Sequence, residues 1–315
     1  HSEHYTYYDE YEKYLSTHKD IEIKTVVTTI NDMYTNYVPK LEAMSYTQEQ
    51  IWNVLKTAST TDLQYIIDKK YGYADMEPYM KVNGFIFTDM EDYIKAYDKN
   101  HNYDYAVLIT SYPFIDSNNK VNKNYIIQNP DDLLSLVKPG FNMSSSYEPK
   151  DLITPQMPIA PDCNNPKLRK EAADALIAMY NDAKKEGYSL VVNSAYRSYK
   201  SQKTIYDDYF KKYDEITASS LVAKPGSSEH QTGLGVDLTS ESVIKGEKLV
   251  FGDTPEYQWV LKNAQGRSNI TGIKHEPWHF RYVGKNAAKK VYENNWTLEE
   301  YCLNEGVIPQ IKEDK

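Results

Sequence analysis

The chain is short of cysteine, histidine and arginine, carries no excess of positive charge and contains no long apolar run. No stretch of about eighteen apolar residues occurs, so nothing in it reads as a membrane-spanning helix. A net charge of −9 and a pI near 5.4 offer no basic patch for a polyanion and argue against nucleic acid as a partner. Two cysteines, Cys163 and Cys302, leave the redox compartment undecided. Joined, they would staple the entry of the C-terminal half to its last helix; apart, they would be buried thiols. No repeat is evident. The chain begins His-Ser rather than Met, which is expected of a precursor that has lost a signal or anchor segment.

What is present concentrates in two short segments. Three of the seven histidines, His230, His275 and His279, fall between Ser228-Glu229-His230-Gln231-Thr232-Gly233-Leu234-Gly235-Val236-Asp237 and Glu276-Pro277-Trp278-His279. Together the segments hold two imidazoles, one carboxylate and a spare glutamate, the parts of a catalytic zinc site: three ligands, an open position for water and a base. His275 to His279 also spells H-E-x-x-H, but Pro277 removes a backbone donor and pushes Glu276 towards extended geometry, so the helical zinc-protease reading is rejected. In a strand, positions 276 and 279 face opposite ways unless the chain bends there. Lys224 to Ser228 has turn chemistry, and Val236 to Thr239 reads as a strand. His230 and Asp237 then meet only through loop geometry.

The pattern S-x-H-x-x-G-x-x-x-D, followed by E-P-W-H-F-R-Y and preceded by Ser194-Ala195-Tyr196-Arg197-Ser198-Tyr199-Lys200-Ser201-Gln202, resembles the D-alanyl-D-alanine carboxypeptidases of the vancomycin-resistance type. These belong to the superfamily of lysostaphin-type enzymes, D-Ala-D-Ala metallopeptidases and the hedgehog signalling domain. The likeness spans about residues 147 to 305. It implies zinc bound by His230, Asp237 and His279, with Glu276 as general base and Arg197 stabilising the oxyanion. It also implies a pocket lined by Ser228, Gln202, Tyr196 and Trp278, with Ser228 near a terminal carboxylate. The implied substrate is the peptidoglycan stem peptide, losing its C-terminal D-alanine by cleavage of the D-Ala-D-Ala bond outside the cytoplasm, at the surface of a Gram-positive cell or secreted. L,D-cleavage of tetrapeptide stems, cross-bridge endopeptidase action and a zinc-containing, non-catalytic wall-binding module are the alternatives. Glu276 and Arg197 favour an enzyme, because a structural site needs neither. Ala195 and Gly235 stand where the family has glycine and alanine. The stretch Trp259 to Ile270 is short of a glycine-aromatic strand and an R-Y-P turn, with Gln265-Gly266-Arg267 an abrupt join that suggests missing residues.

Beyond these segments, Glu229 is expected to be solvated, His275 to sit beside the site, and Trp278 and Tyr282 to pack around it. The predicted class is α+β: a catalytic domain, 147–315, with a small antiparallel sheet flanked by helices, joined through a turn-rich linker, 139–146, to a mainly helical accessory domain, 1–138. Capping-box patterns at Thr47/Gln50 and Thr88/Glu91 start helices, and Tyr105 to Tyr112 reads as a strand. The tyrosines near the N-terminus, from Tyr5 to Tyr14, read as amphipathic helix faces. In the second half a helix is expected from Asn165-Pro166 to Gly187, a strand over 189–195 and a Tyr-rich helix over 199–212. Helices near 284–294 and 297–305 complete the pattern, the last with a box at Thr297/Glu300.

Overall fold

The computed structural model describes residues 7–18, 21–112, 124–263, 276–307 and 309–314. The chain forms two compact units, His1–Tyr112 and Pro113–Lys315.

The first unit is helical: α1 (Tyr8–Thr17), α2 (Ile23–Asn36), α3 (Val38–Ala43), α4 (Gln48–Leu55), α5 (Thr60–Lys69), α6 (Tyr73–Met80), α7 (Met90–Asn100) and α8 (Tyr103–Ser111). Val26, Ile30 and Met33, spaced by one helical turn, bury the inner face of α2. Tyr11 and Tyr14 are buried while Tyr8 is exposed, so this tyrosine run is an amphipathic stripe, and Tyr79 stacks on Tyr93 in the core. The Thr47/Gln50 capping box forms. The Thr88/Glu91 box does not: Phe87–Asp89 is a 3-10 turn, α7 starts after Asp89, and the Glu91 carboxylate pairs with Lys69 instead. The expected strand over 105–112 is helix α8. Asn102 accepts the Tyr105 N–H as an N-cap, and Ala106, Val107 and Leu108 are buried in a helix packed against α7. Tertiary burial there overrides the β-branched preference for strand.

The second unit takes in the expected linker. Strand β1 (Tyr125–Ile127) pairs in parallel with β2 (Phe141–Asn142), within the stretch that reads as a connector, so the compact boundary falls near residue 112 rather than 138. Turn residues there make the return to β2 rather than a tether. Then come β3 (Leu152–Ile153), β4 (Leu168–Arg169), α9 (Lys170–Lys185), β5 (Leu190–Ser194), α10 (Tyr199–Lys212), α11 (Glu215–Leu221) and β6 (Gly235–Ser240). The chain ends with α12 (Glu241–Ile244), α13 (Pro255–Asn263), β7 (His279–Arg281), α14 (Lys285–Asn294), α15 (Leu298–Asn304) and β8 (Ile311–Glu313). Helix α9 begins at Lys170, later than Asn165-Pro166 suggests, because Leu168 and Arg169 are drawn into a ladder with β3. Gly187 adopts φ +88° just after it, the left-handed stop that glycine tolerates. The Thr297/Glu300 box forms. Cys163 and Cys302 are free thiols. The short stretch around Gln265-Gly266-Arg267, and His275, lie outside the described residues.

The sheet that positions the site is antiparallel, in the order β5-β6-β7. All six residues of central β6 are buried. Val236 and Leu238 face a core shared with Leu176, Val192, Trp259 and Val260, which directs Asp237 to the opposite face.

Candidate metal centre and active site

Directly opposed residues in a ladder share a face, and register makes a row of three: Ser194 pairs with Asp237, and Asp237 with His279. His230 reaches the row from a 3-10 turn, Glu229–Thr232. The return to β6 needs Gly233 at φ +68°, where a Cβ would lie 2.9 Å from Leu152 Cδ2. Gly235 lets the strand run close under that turn, since a Cβ there would sit 3.2 Å from the Glu229 carbonyl carbon. Backbone bonds tie the parts together, with the Arg197 N–H donating to His230 O at 3.1 Å.

The candidate ligand atoms of His230, Asp237 and His279 lie within 4.8 Å of one another, a grouping able to hold a metal ion. His230 Nε2 stands 3.3 Å from Asp237 Oδ2, and His279 Nδ1 stands 2.9 Å from Asp237 Oδ1. Each imidazole is held from behind, His230 Nδ1 by Ala195 O at 2.7 Å and His279 Nε2 by Glu229 Oε2 at 3.0 Å. Burial alone would raise the Asp237 carboxyl, but His230 and His279 hold it well below the usual carboxylate range. Burial alone would lower His279, yet its bonds to Asp237 and Glu229 push it up to about 10. Both shifts express one fact, that buried carboxylates here demand positive charge.

Glu276 and His279, opposed in a straight strand, are reconciled by a turn at Pro277-Trp278, in which the His279 N–H donates to Glu276 O at 3.1 Å. Burial pushes the Glu276 carboxyl above the ordinary glutamate range, Asp237 adds to this, and His279, His230 and Arg197 oppose it. Its electrostatic neighbours are thus the cluster and Arg197. The half-buried Arg197 guanidinium is fixed by Nη1 to Gln202 Oε1 at 2.9 Å and Nη2 to Ser194 Oγ at 3.0 Å. Gln202, fully buried, also donates to Ala223 O. Ser228 is buried just before the His230 turn. Tyr196 is buried, with a hydroxyl that meets no hydrogen-bond partner among the described residues. Trp278 and Tyr282 pack against the core, as expected, and Trp278 O accepts the Leu238 N–H.

Two residues escape a reading of the sequence. Glu229, expected in solvent, is 5% exposed and bonds Arg281 Nη1 at 3.0 Å besides His279. Arg281 in turn donates from Nη2 to Leu133 O and Ser135 O. The signal was available: Arg281 lies two places after a candidate ligand in a strand, hence on its face, and arginine is scarce here.

Two imidazoles, each braced by an outer partner, and a carboxylate form a three-residue donor set of the kind that suits zinc. Residues 165–285 match the VanY family, described as D-alanyl-D-alanine carboxypeptidase. A putative carboxypeptidase of Bacillus subtilis, YodJ, is 43% identical over 194 residues, 58% of this chain and 71% of that protein. A D-alanyl-D-alanine carboxypeptidase of Enterococcus faecalis is 33% identical over 40% of this chain, which spans about half of that relative, 52%. The solved structure of an L,D-carboxypeptidase, LdcB, superposes with a TM-score of 0.52 at 43% identity, covering 58% of this chain and 91% of that one. On this likeness, and on a metal cluster built from the motif residues themselves, the chain belongs to the VanY family of D-alanyl-D-alanine carboxypeptidases and is a zinc metallo-carboxypeptidase.

Proposed function

We propose that this chain removes the C-terminal D-alanine from peptidoglycan stem peptides outside the cytoplasm, with His230, Asp237 and His279 holding the zinc. The observation that carries the reading is the gathering of these ligands with Glu276 and a fixed Arg197 on one face of the β5-β6-β7 sheet. Held there, zinc would supply Lewis acidity and would lower the pKa of a nearby water to about 7. Glu276 takes a proton from the attacking water and returns it to the leaving amino group; a carboxyl raised by burial suits that exchange near neutral pH. Arg197, with two N–H groups spent on Gln202 and Ser194, keeps further donors for the carbonyl oxygen as charge builds there. Gln202 positions that guanidinium. Ser228, Tyr196 and Trp278 line the pocket, Ser228 nearest the substrate carboxylate. The helical unit is an accessory domain.

Two bonds are candidates for cleavage. The D-Ala-D-Ala bond of pentapeptide stems is supported by the family description and by the enterococcal relative. The L,D bond of tetrapeptide stems is supported by the likeness to LdcB, which has the higher identity and covers nearly all of that chain, so it is the stronger reading. Mass spectrometry of defined tetra- and pentapeptide muropeptides, incubated with the zinc-loaded protein, separates them. Loss of one D-alanine from the tetrapeptide, with the pentapeptide intact, is the expected result; trimming of the pentapeptide alone reverses the choice. Equal cleavage of stems whose terminal carboxylate is amidated would exclude a carboxypeptidase and leave endopeptidase action.

A further inference from the structure

The described site holds more charge than the reaction uses. Glu229 and Arg281 are each only 4% exposed at the side chain, and the chemistry assigned to Glu276 and Arg197 uses neither. Burying such a pair costs several kcal/mol of desolvation per ion, so its retention calls for a role beyond packing. Its geometry has a direction. Arg281 is fixed at one end by the carbonyls of Leu133 and Ser135 and by its own Nε–H to Tyr282 O, and at the other grips Glu229 Oε1. The second carboxylate oxygen, Oε2, then meets His279 Nε2 at 3.0 Å.

An imidazole has two nitrogens, and which of them binds metal is set by what the other one holds. At His230 a backbone carbonyl, Ala195 O, occupies Nδ1 and leaves Nε2 facing Asp237. His279 is mounted in the reverse sense, with Nε2 outward and Nδ1 facing Asp237. At His279 Nε2 the partner is the buried carboxylate of Glu229 instead, and among the described residues no backbone carbonyl bonds that nitrogen.

We propose that Glu229 and Arg281 are positioning residues for the metal centre: Arg281 orients Glu229, and Glu229 accepts the Nε2 proton of His279 so that Nδ1 is the nitrogen presented to zinc. The inference rests on the reading of His279 as a ligand. It extends the metal centre to Leu133 and Ser135, upstream of the segment that matches the family.

Two measurements test it. In the zinc-loaded full chain, long-range 1H-15N spectra of the histidine rings should show zinc at His279 Nδ1 with the proton on Nε2, and the opposite pairing for His230. Zinc on His279 Nε2 would overturn the proposal while leaving the ligand reading intact. A His279 ring free of zinc would remove both. Separately, zinc affinity by chelator competition should fall about 10–100-fold in Glu229→Gln, which offers one acceptor where Arg281 and His279 each need one. His279→Ala, run beside it, should lose zinc far more completely. Wild-type affinity in a folded Glu229→Gln, with zinc lost in His279→Ala, would make the pair merely structural. If Glu229→Gln fails to fold, the ring spectra of the unaltered protein still decide.

Discussion

At the scale of single residues the centre works by opposing burial against charge. Glu276 is the informative case, because burial raises its carboxyl while His279, His230 and Arg197 pull the other way. A general base acts deprotonated, so activity is present above its pKa and is lost as the pH falls through it. A raised value therefore moves the acid limb of kcat/KM upward, above 4.5, the ordinary position of glutamate. Glu276→Gln should abolish that limb, lower kcat by about 10²–10⁴-fold and leave zinc content near one per chain, since in the proposed reaction the carboxylate serves the proton and not the metal. A variant that turned over normally would remove Glu276 from the mechanism, and one that lost zinc would make it a ligand.

Among the elements, the parts legible in the sequence were those whose local chemistry agrees with their packing. The capping boxes at Thr47 and Thr297 both form, each with the reciprocal side-chain-to-backbone bonds that the local sequence specifies. Thr297→Ala should cost about 1 kcal/mol, by analogy with other N-cap losses, while Thr297→Ser retains the acceptor and most of the stability. Urea midpoints with unchanged slope would check this, and an unaltered midpoint for the alanine variant would leave the cap without energetic weight. Strand β5, helix α10 and the strands bearing Asp237 and His279 were readable for the same reason. Where long-range partners intervene, reading failed. Leu168 and Arg169 leave the expected helix for a ladder with Ile153 and Leu152, and Tyr103–Ser111 is helical despite its β-branched residues because it buries against α7. The gathering of His230, Asp237 and His279 was legible as motif spacing. Glu229 was not, because its burial depends on an arginine 52 positions on.

Across the whole molecule, two compact units imply two thermal responses. The proposed zinc ligands all lie in the second unit, so zinc should raise only that unit's transition. The gain is about 4.1 kcal/mol when free zinc stands a thousandfold above its dissociation constant. Calorimetry with and without chelator should show one peak moving and one still; coincident shifts would mean that the units unfold together. No described helix is long and apolar enough to cross a membrane.

The pairing of β1 with β8 also imposes an order in time. Tyr125 opposes Glu313, and Ile127 opposes Ile311, so one edge of β1 pairs early with β2 while the other waits for residues far along the chain. The helices of the first unit, by contrast, contact mostly their near neighbours, α1 with α2, α2 with α3, α3 with α4 and α7 with α8. Local contacts close quickly and distant ones slowly. On the ribosome the helical unit can therefore fold while the rest is still being made, whereas the edge of β1 away from β2 stays open until synthesis has passed residue 313.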